Sequence, residues 1–346
     1  MSDMYKNIAS DLSGKCACGI VLLFMLIAVT ASFFVGDPAV IPEGGLPYKA
    51  PGYVIAKTGE VMTFGTDQIG RDVLAGVMYG ARWALIVGFL ATLISACIGI
   101  SFGVVAGYFG DTDFKVNMVS VVIAIFLWSI MCFYVWYMNW GVWIMLVVFS
   151  LSSFVIILLL YKIHSNRLFI RFNIKNNLSL PLDFIILRLI EIWRAIPALF
   201  ILLAILVAVK NPSLWTVVVV IGVLRWTSIA RLVRAEFLSI RNMNYIRTAK
   251  SIGYSDFRII LKHGLPNAIA PLFVLFAFSV SSAIILEATL SFLGIGVSVD
   301  TVTWGSLMSA ARQNYRAWWL VLIPGLCIFF LVLSLNVIGD RLAEQR

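Results

Sequence analysis

Long apolar runs alternate with short polar intervals along the whole chain. The runs cover roughly 18–35, 83–105, 116–138, 142–161, 184–209, 215–230, 268–293 and 317–338. Each is about the length that a membrane-crossing helix needs, so eight spans are expected. Between the sixth and seventh runs lies the most basic interval, 231–267. Its second half, 245–267, reads YIRTAKSIGYSDFRIILKHGLPN. Ile246, Ala249 and Ile252 recur there at helical spacing, which sets one small or apolar face against a polar one. Gly253 is expected to end a first short helix, and Ser255 or Asp256 to cap a second. Leu265-Pro266-Asn267 is expected to break that second helix before the next apolar run. Two short helices around a glycine turn, held at a membrane face, suit docking of a soluble partner.

Other intervals refine the picture. Residues 36–64 are rich in Gly and Pro, lack apolar periodicity and read as an extracytoplasmic loop. The string Gly65-Thr66-Asp67-Gln68-Ile69-Gly70-Arg71-Asp72-Val73-Leu74 follows, and by itself it reads as an interfacial turn with Thr66 or Asp67 as helix cap. The next span carries Gly88, Ala91, Ser95, Ala96, Gly99, Ser101 and Gly103. Small residues let helix backbones approach closely in lipid, so this helix is expected inside a bundle. The runs 116–138 and 142–161 flank Asn139-Trp140-Gly141 and read as a helical hairpin with aromatic residues near its turn. The run 184–209 contains Arg188, Glu191, Arg194 and Pro197. Glu191 and Arg194 share a helix face and are expected to form a salt bridge, the alternative being a gate or a contact with a partner. Glu287 lies in an apolar run beside Ser281 and Ser282. A charge at mid-membrane costs about 2.5–3.5 kcal/mol on insertion scales, so Glu287 needs a partner or a wet cavity. Two readings stay open: a structural pair with an arginine or serine hydroxyls, or a cavity-lining acid that meets a cationic part of a solute.

Composition fixes the class. The 346 residues are 61% apolar and 12% charged, and mean hydropathy is +0.98. Soluble domains average about 45–50% apolar and about 25% charged, so this is an all-α integral membrane protein. The net charge of +9 sits between spans, which the positive-inside rule explains without nucleic acid. With the N-terminus inside, 16 Lys and Arg fall in cytoplasmic segments and 7 in outer loops. Both termini are therefore expected in the cytoplasm. The apolar run that begins at Cys18 continues through Val35, beyond Val29-Thr30-Ala31, and reads as an uncleaved anchor. Five Cys and two His show no metal-site or disulfide spacing. No Walker A string and no nucleophile–base set is present, so no catalytic role is expected of this chain alone.

The interval 245–267 resembles the cytoplasmic loop of ABC-importer permeases, whose pattern is Glu-Ala-Ala, three residues, Gly, nine residues, Ile, one residue, Leu-Pro. Ala249, Gly253, Leu265 and Pro266 fall at the family's offsets. Arg247 and Thr248 stand where the family has Glu and the first Ala, and His263 where it has Ile. The string Gly65-Thr66-Asp67…Gly70-Arg71-Asp72 resembles the signature before the second span of the C-type subunit of oligopeptide and dipeptide importers. Tyr79-Gly80-Ala81-Arg82, Leu290-Ser291-Phe292-Leu293-Gly294-Ile295-Gly296, Thr303-Trp304-Gly305 and Gly339-Asp340-Arg341 are similar to that subunit too.

The resemblance implies a type I ABC-importer permease bundle with six family-type spans, interrupted by an inserted two-helix hairpin. The organisation is then 1–64 (tail, first anchor, outer loop), 65–111 (signature and second span), 112–180 (insertion with a basic cytoplasmic loop) and 181–346 (permease core with coupling loop 231–267). The coupling residues implied are Tyr245, Ile246, Arg247, Thr248, Ala249, Gly253, Asp256, Leu265 and Pro266. The resemblance also implies partners: a homologous B-type permease subunit, two ATPase subunits that bind ATP and Mg, an extracytoplasmic solute-binding protein, and membrane lipid. The place implied is the inner membrane of a bacterium and the solute a di- or oligopeptide, with nickel or another non-peptide solute as alternative. A secondary transporter is the competitor from another class, and it would need paired intramembrane acids or ion sites on broken helices.

Overall fold

The computed structural model describes residues 12–111, 115–117, 177–209, 212–295 and 301–344. In chain order the elements are α1 (Leu12–Phe34), β1 (Tyr53–Val54), β2 (Val61–Met62), α2 (Val73–Phe109), β3 (Lys115–Asn117) and β4 (Asn177–Ser179). There follow α3 (Leu182–Ala195), α4 (Ala198–Ala208), α5 (Leu214–Ile240), α6 (Asn244–Ser251), α7 (Asp256–Ile259), α8 (Leu265–Phe292), α9 (Trp304–Ala310) and α10 (Trp319–Ala343). Among the described residues, five helical stretches are long and apolar enough to cross a membrane, or six if the bent pair α3–α4 counts as one. The expected hairpin 116–161 lies outside the described residues except for 116–117, which are extended rather than helical.

The chain forms two compact units, 1–104 with 190–346, and 105–189. In the first, α2 packs closely against two neighbouring helices, for the reason its small residues suggest. A Cβ on Gly88 would sit 2.8 Å from Ile284 on α8, one on Gly99 2.7 Å from Ile229 on α5, and one on Gly103 2.6 Å from the Ala230 carbonyl. One apolar cluster joins Val87 and Ala91 of α2 to Leu202 and Leu206 of α4 and to the N-terminal half of α5. A second joins Phe24 and Ala28 of α1 to Ala84, Ile284, Trp304 and Leu331. In the second unit, β3 and β4 pair antiparallel with Lys115 opposite Ser179 and Asn117 opposite Asn177.

Several expectations need correction. The run 184–209 is not one straight helix: α3 and α4 meet at 75°. Pro197 is the cause, since it lacks the N–H that would continue the ladder and pushes Ile196 away from helical geometry. Pro197 itself is extended, with φ −56° and ψ 128°. The span expected at 215–230 runs on to Ile240. Leu265-Pro266 does not stop a helix. A π-helical turn, Ile260–Gly264, carries α7 into α8, and the Leu265 N–H bonds the Ile260 carbonyl five residues back. This wider turn opens the ladder where Pro266 has no N–H to give. The outer loop is not all irregular, because β1 and β2 form a short hairpin.

Candidate functional site

The interval 245–267 keeps its expected helix–glycine–helix outline but not the break at Leu265-Pro266. Helix α6 ends before Gly253, which adopts φ +87°. That left-handed value is why a glycine stands there, although no atom lies within 4 Å of where its Cβ would be. Asp256 opens α7, but the Ser255 side chain makes no cap bond. Leu265 and Pro266 begin α8.

The faces of α6 differ from expectation. Ile246 and Ala249 are buried within the chain, whereas Ile252 is 69% exposed. Ile252 lies just past the last helical residue, Ser251, where the glycine turn swings it outward. The side expected to meet a partner through Ile246 and Ala249 is therefore stitched to the protein's own body. The outward side carries Arg247, Thr248, Lys250, Ile252, Phe257, Arg258 and Leu261. Tyr245 is exposed too, and its hydroxyl accepts from the Asn267 amide at 3.0 Å.

An aromatic brace sets the angle of this unit. Tyr254 stacks on His263 with centroids 6.3 Å apart, and the Arg258 guanidinium lies 5.0 Å from the Tyr254 ring centre. The Asn267 amide also donates to the His263 carbonyl at 2.7 Å. Gly264 lies against buried Phe237 of α5, where a Cβ would approach Cε1 to 2.6 Å. This brace was not read from the sequence. Its signals were His263 at an aliphatic position of the family pattern and Gly264 directly before Leu-Pro.

The outer string Gly65–Asp72 forms a hydrogen-bonded knot. The Thr66 hydroxyl accepts from Lys49 N–H at 2.8 Å and donates to the Leu46 carbonyl at 2.6 Å. One Asp67 carboxylate oxygen accepts from the N–H groups of Ile69 and Arg71, both at 2.9 Å. Arg71 Nε reaches the Ala39 carbonyl. Gly65 and Gly70 take φ +79° and +91°, so the chain can double back on itself. The cap of α2 is Asp72, bonded to Leu74 N–H at 2.9 Å, rather than Thr66 or Asp67. Burial pushes the Asp72 carboxyl above its ordinary value, against the pull of its N–H partners, and Glu60 adds to the rise. Trp319 of α10 donates to the Thr66 carbonyl at 3.2 Å, and the Tyr48 hydroxyl to the Ala310 carbonyl at 3.2 Å. The string thus ties loop 36–64 to α2 and α10, and Tyr48 of that loop adds a bond to α9.

Glu287 is 2% exposed. It accepts from the Ser291 hydroxyl at 2.6 Å and is also hydrogen-bonded by Thr303, the cap residue of α9. Ser282 is half-buried on the same helix. The interval 245–267, the knot at Gly65–Asp72 and Glu287 are three separate stretches of the chain.

The chain was compared with known proteins. A family model described as binding-protein-dependent transport system inner membrane component matches residues 168–345. The chain belongs to this family. The permease is also 32% identical over 281 residues to the dipeptide transport system permease protein DppC of Haemophilus influenzae, covering 81% of this chain and 72% of that one. It is 27% identical to DppC of Bacillus subtilis over 94% of this chain and 78% of the relative. The inner membrane ABC transporter permease protein YejE of Escherichia coli is 29% identical over 81% of this chain and 62% of its own length. The permease is thus a multi-pass membrane component of a transport system.

Proposed function

We propose that this permease is the C-type subunit of an ATP-driven ABC importer that carries di- and oligopeptides across the inner membrane by alternating access. The observation that carries the reading is its likeness, over most of its length, to proteins named as dipeptide permeases. In this reading a homologous B-type subunit completes the path, two ATPase subunits drive it, and an extracytoplasmic binding protein delivers the peptide. The docking interval 245–267 meets an ATPase subunit through Arg247, Ile252, Phe257 and Arg258, which are exposed along α6, the glycine turn and α7. The knot at Gly65–Asp72 holds the outer face on which a binding protein lands. Both termini lie in the cytoplasm, and the inserted hairpin brings the spans to eight.

The test is uptake of a labelled dipeptide into proteoliposomes that hold the complete transporter. Uptake is expected only with ATP, both ATPase subunits and the binding protein together. Uptake of nickel but not of peptide would overturn the solute assignment. Uptake driven by an ion gradient without the ATPases would overturn the importer reading altogether.

A further inference from the structure

The bend between α3 and α4 opens a cleft of about 190 Å³ lined by Trp193, Arg194, Pro197, Arg225, Thr227 and Ser228, among others. Arg194 lies in the last turn of α3 and Arg225 on α5, so two helices bring two arginines to the lining of one small cleft. Among the described residues neither arginine has a hydrogen bond, ion pair or ring contact. The expected Glu191–Arg194 salt bridge is therefore not formed.

Depth makes this arrangement unusual. Arg225 is 11 residues beyond Leu214, the start of α5, or about 16 Å along a helix about 40 Å long. That is near mid-membrane, where an unpaired cation facing lipid tails is costly. Lipid phosphates sit at the interfaces and do not reach this level. The stretch from Arg194 to Phe200 is exposed throughout, so the cleft opens on a surface of this subunit rather than into its core. Such a pair needs water and an anion. A surface that is wet at mid-membrane is one that lines a translocation path. The first turn of α4 has no side-chain cap, so its N–H groups add to the positive character of the cleft.

Size narrows the ligand. Pockets for whole small molecules run to about 300–1,000 Å³. This one takes an end group, not a whole dipeptide. A planar carboxylate fits guanidinium donors in a two-pronged geometry, and the polar residues Thr227 and Ser228 share the lining. We propose that Arg194 and Arg225 form a transient site for the C-terminal carboxylate of the peptide as it crosses. This rests on the peptide-importer reading above and adds to it a residue-level subsite on this chain.

The test uses the complete transporter in proteoliposomes with saturating binding protein, in a background that lacks the five native cysteines. Arg225→Cys is expected to lower dipeptide uptake on the order of tenfold, the effect of losing a charge-assisted contact. Co-purification of the subunits should be unchanged. Modification with the cationic aminoethyl thiosulfonate reagent should restore uptake, whereas the neutral methyl reagent should not. Excess peptide should slow the modification. Equal behaviour of the two reagents, or unchanged uptake by the variant, would overturn the proposal. Subunit assembly that is lost with Arg225→Cys and regained with the cationic reagent would assign the pair to a carboxylate of the sister subunit, again overturning it. If Arg225→Cys does not assemble and the reagent does not rescue it, Arg194→Cys, on the exposed lip, carries the same test. Loss of assembly in both would overturn the site. A wild-type transporter that moves no peptide fails the broader reading. One that moves peptide while its arginine variants do likewise fails only this one.

Discussion

The contrast between Ile246 and Ile252 gives a sharp test of how the docking interval works. The two are six residues apart, yet Ile246 is 1% exposed and Ile252 69% exposed. Truncating a buried isoleucine to alanine removes packing and leaves a cavity, at about 2–5 kcal/mol. Ile246→Ala should therefore loosen α6 from the protein body and lower the thermal midpoint of the permease in nanodiscs. Ile252→Ala should change stability by less than about 0.5 kcal/mol, as exposed substitutions usually do. Burying an isoleucine fully is worth about 1.5–3 kcal/mol. A side chain with about two thirds of its surface still open can contribute about 1–2 kcal/mol to a partner, or roughly 5- to 30-fold in affinity. Ile252→Ala should weaken ATPase binding by that factor, read by titrating purified ATPase subunits onto the nanodiscs. Phe257, 68% exposed, should behave in the same way. Unchanged affinity for both Ile252→Ala and Phe257→Ala would refute the assignment of this face. So would an Ile246→Ala variant as stable as the parent.

Four further outcomes are expected. Gly253 has φ +87°, so Gly253→Ala should cost about 1–2 kcal/mol of local stability and Gly253→Asn less, measured by protease cleavage within 244–260; a costlier Asn would refute the turn geometry. Thr66→Val leaves the Lys49 N–H and Leu46 carbonyl without their buried partner, at about 1–3 kcal/mol, and should expose loop 36–64 to protease. The folded Asp72 carboxyl titrates above its ordinary 3.8, so its ionisation weakens the fold. Stability should rise as pH falls through the raised value and level off below 3.8. Asp72→Asn should remove that dependence, and Asp72→Ala should lose the cap at about 1 kcal/mol; a pH profile identical in the Asn variant would refute this. Single cysteines replacing Ser2, Ala50, Ile170 and Asp300 should be labelled from outside only at 50 and 300, and outside labelling at 170 would refute eight spans.

Local chemistry was legible where one residue decides the outcome. Gly253 marked its turn, and the glycines of α2 marked a helix packed on both sides. What stayed hidden depends on neighbours far along the chain. Pro197 and Pro266 look alike in sequence, yet one bends its helix by 75° and the other is absorbed by a π-helical turn. The difference lies in whether the preceding turn can widen, which is settled by packing such as Gly264 against Phe237. Helical spacing placed Ile252 with Ile246 and Ala249, but spacing holds only within the helix, and Ile252 stands just outside it. The outer string was recognisable as a unit, yet its tie to Trp319 spans 253 positions and no local pattern announces it. The arginines of the α3–α4 cleft stand 31 positions apart in sequence, and only the bend brings them together.

The short pairing of β3 with β4 has a consequence for where the chain can carry extra sequence. Residues 117 and 177 face each other across one antiparallel ladder, so the chain leaves and returns at adjacent points, about 5 Å apart in such a pair. Whatever is inserted between them begins and ends at one spot, and the segments before and after need not move to accommodate it. Closing a longer loop there costs only about 0.6 kcal/mol per doubling of its length. The pair therefore works as a socket. A module placed at this position would leave the flanking segments where they are, and an engineer can graft a reporter there on the same terms.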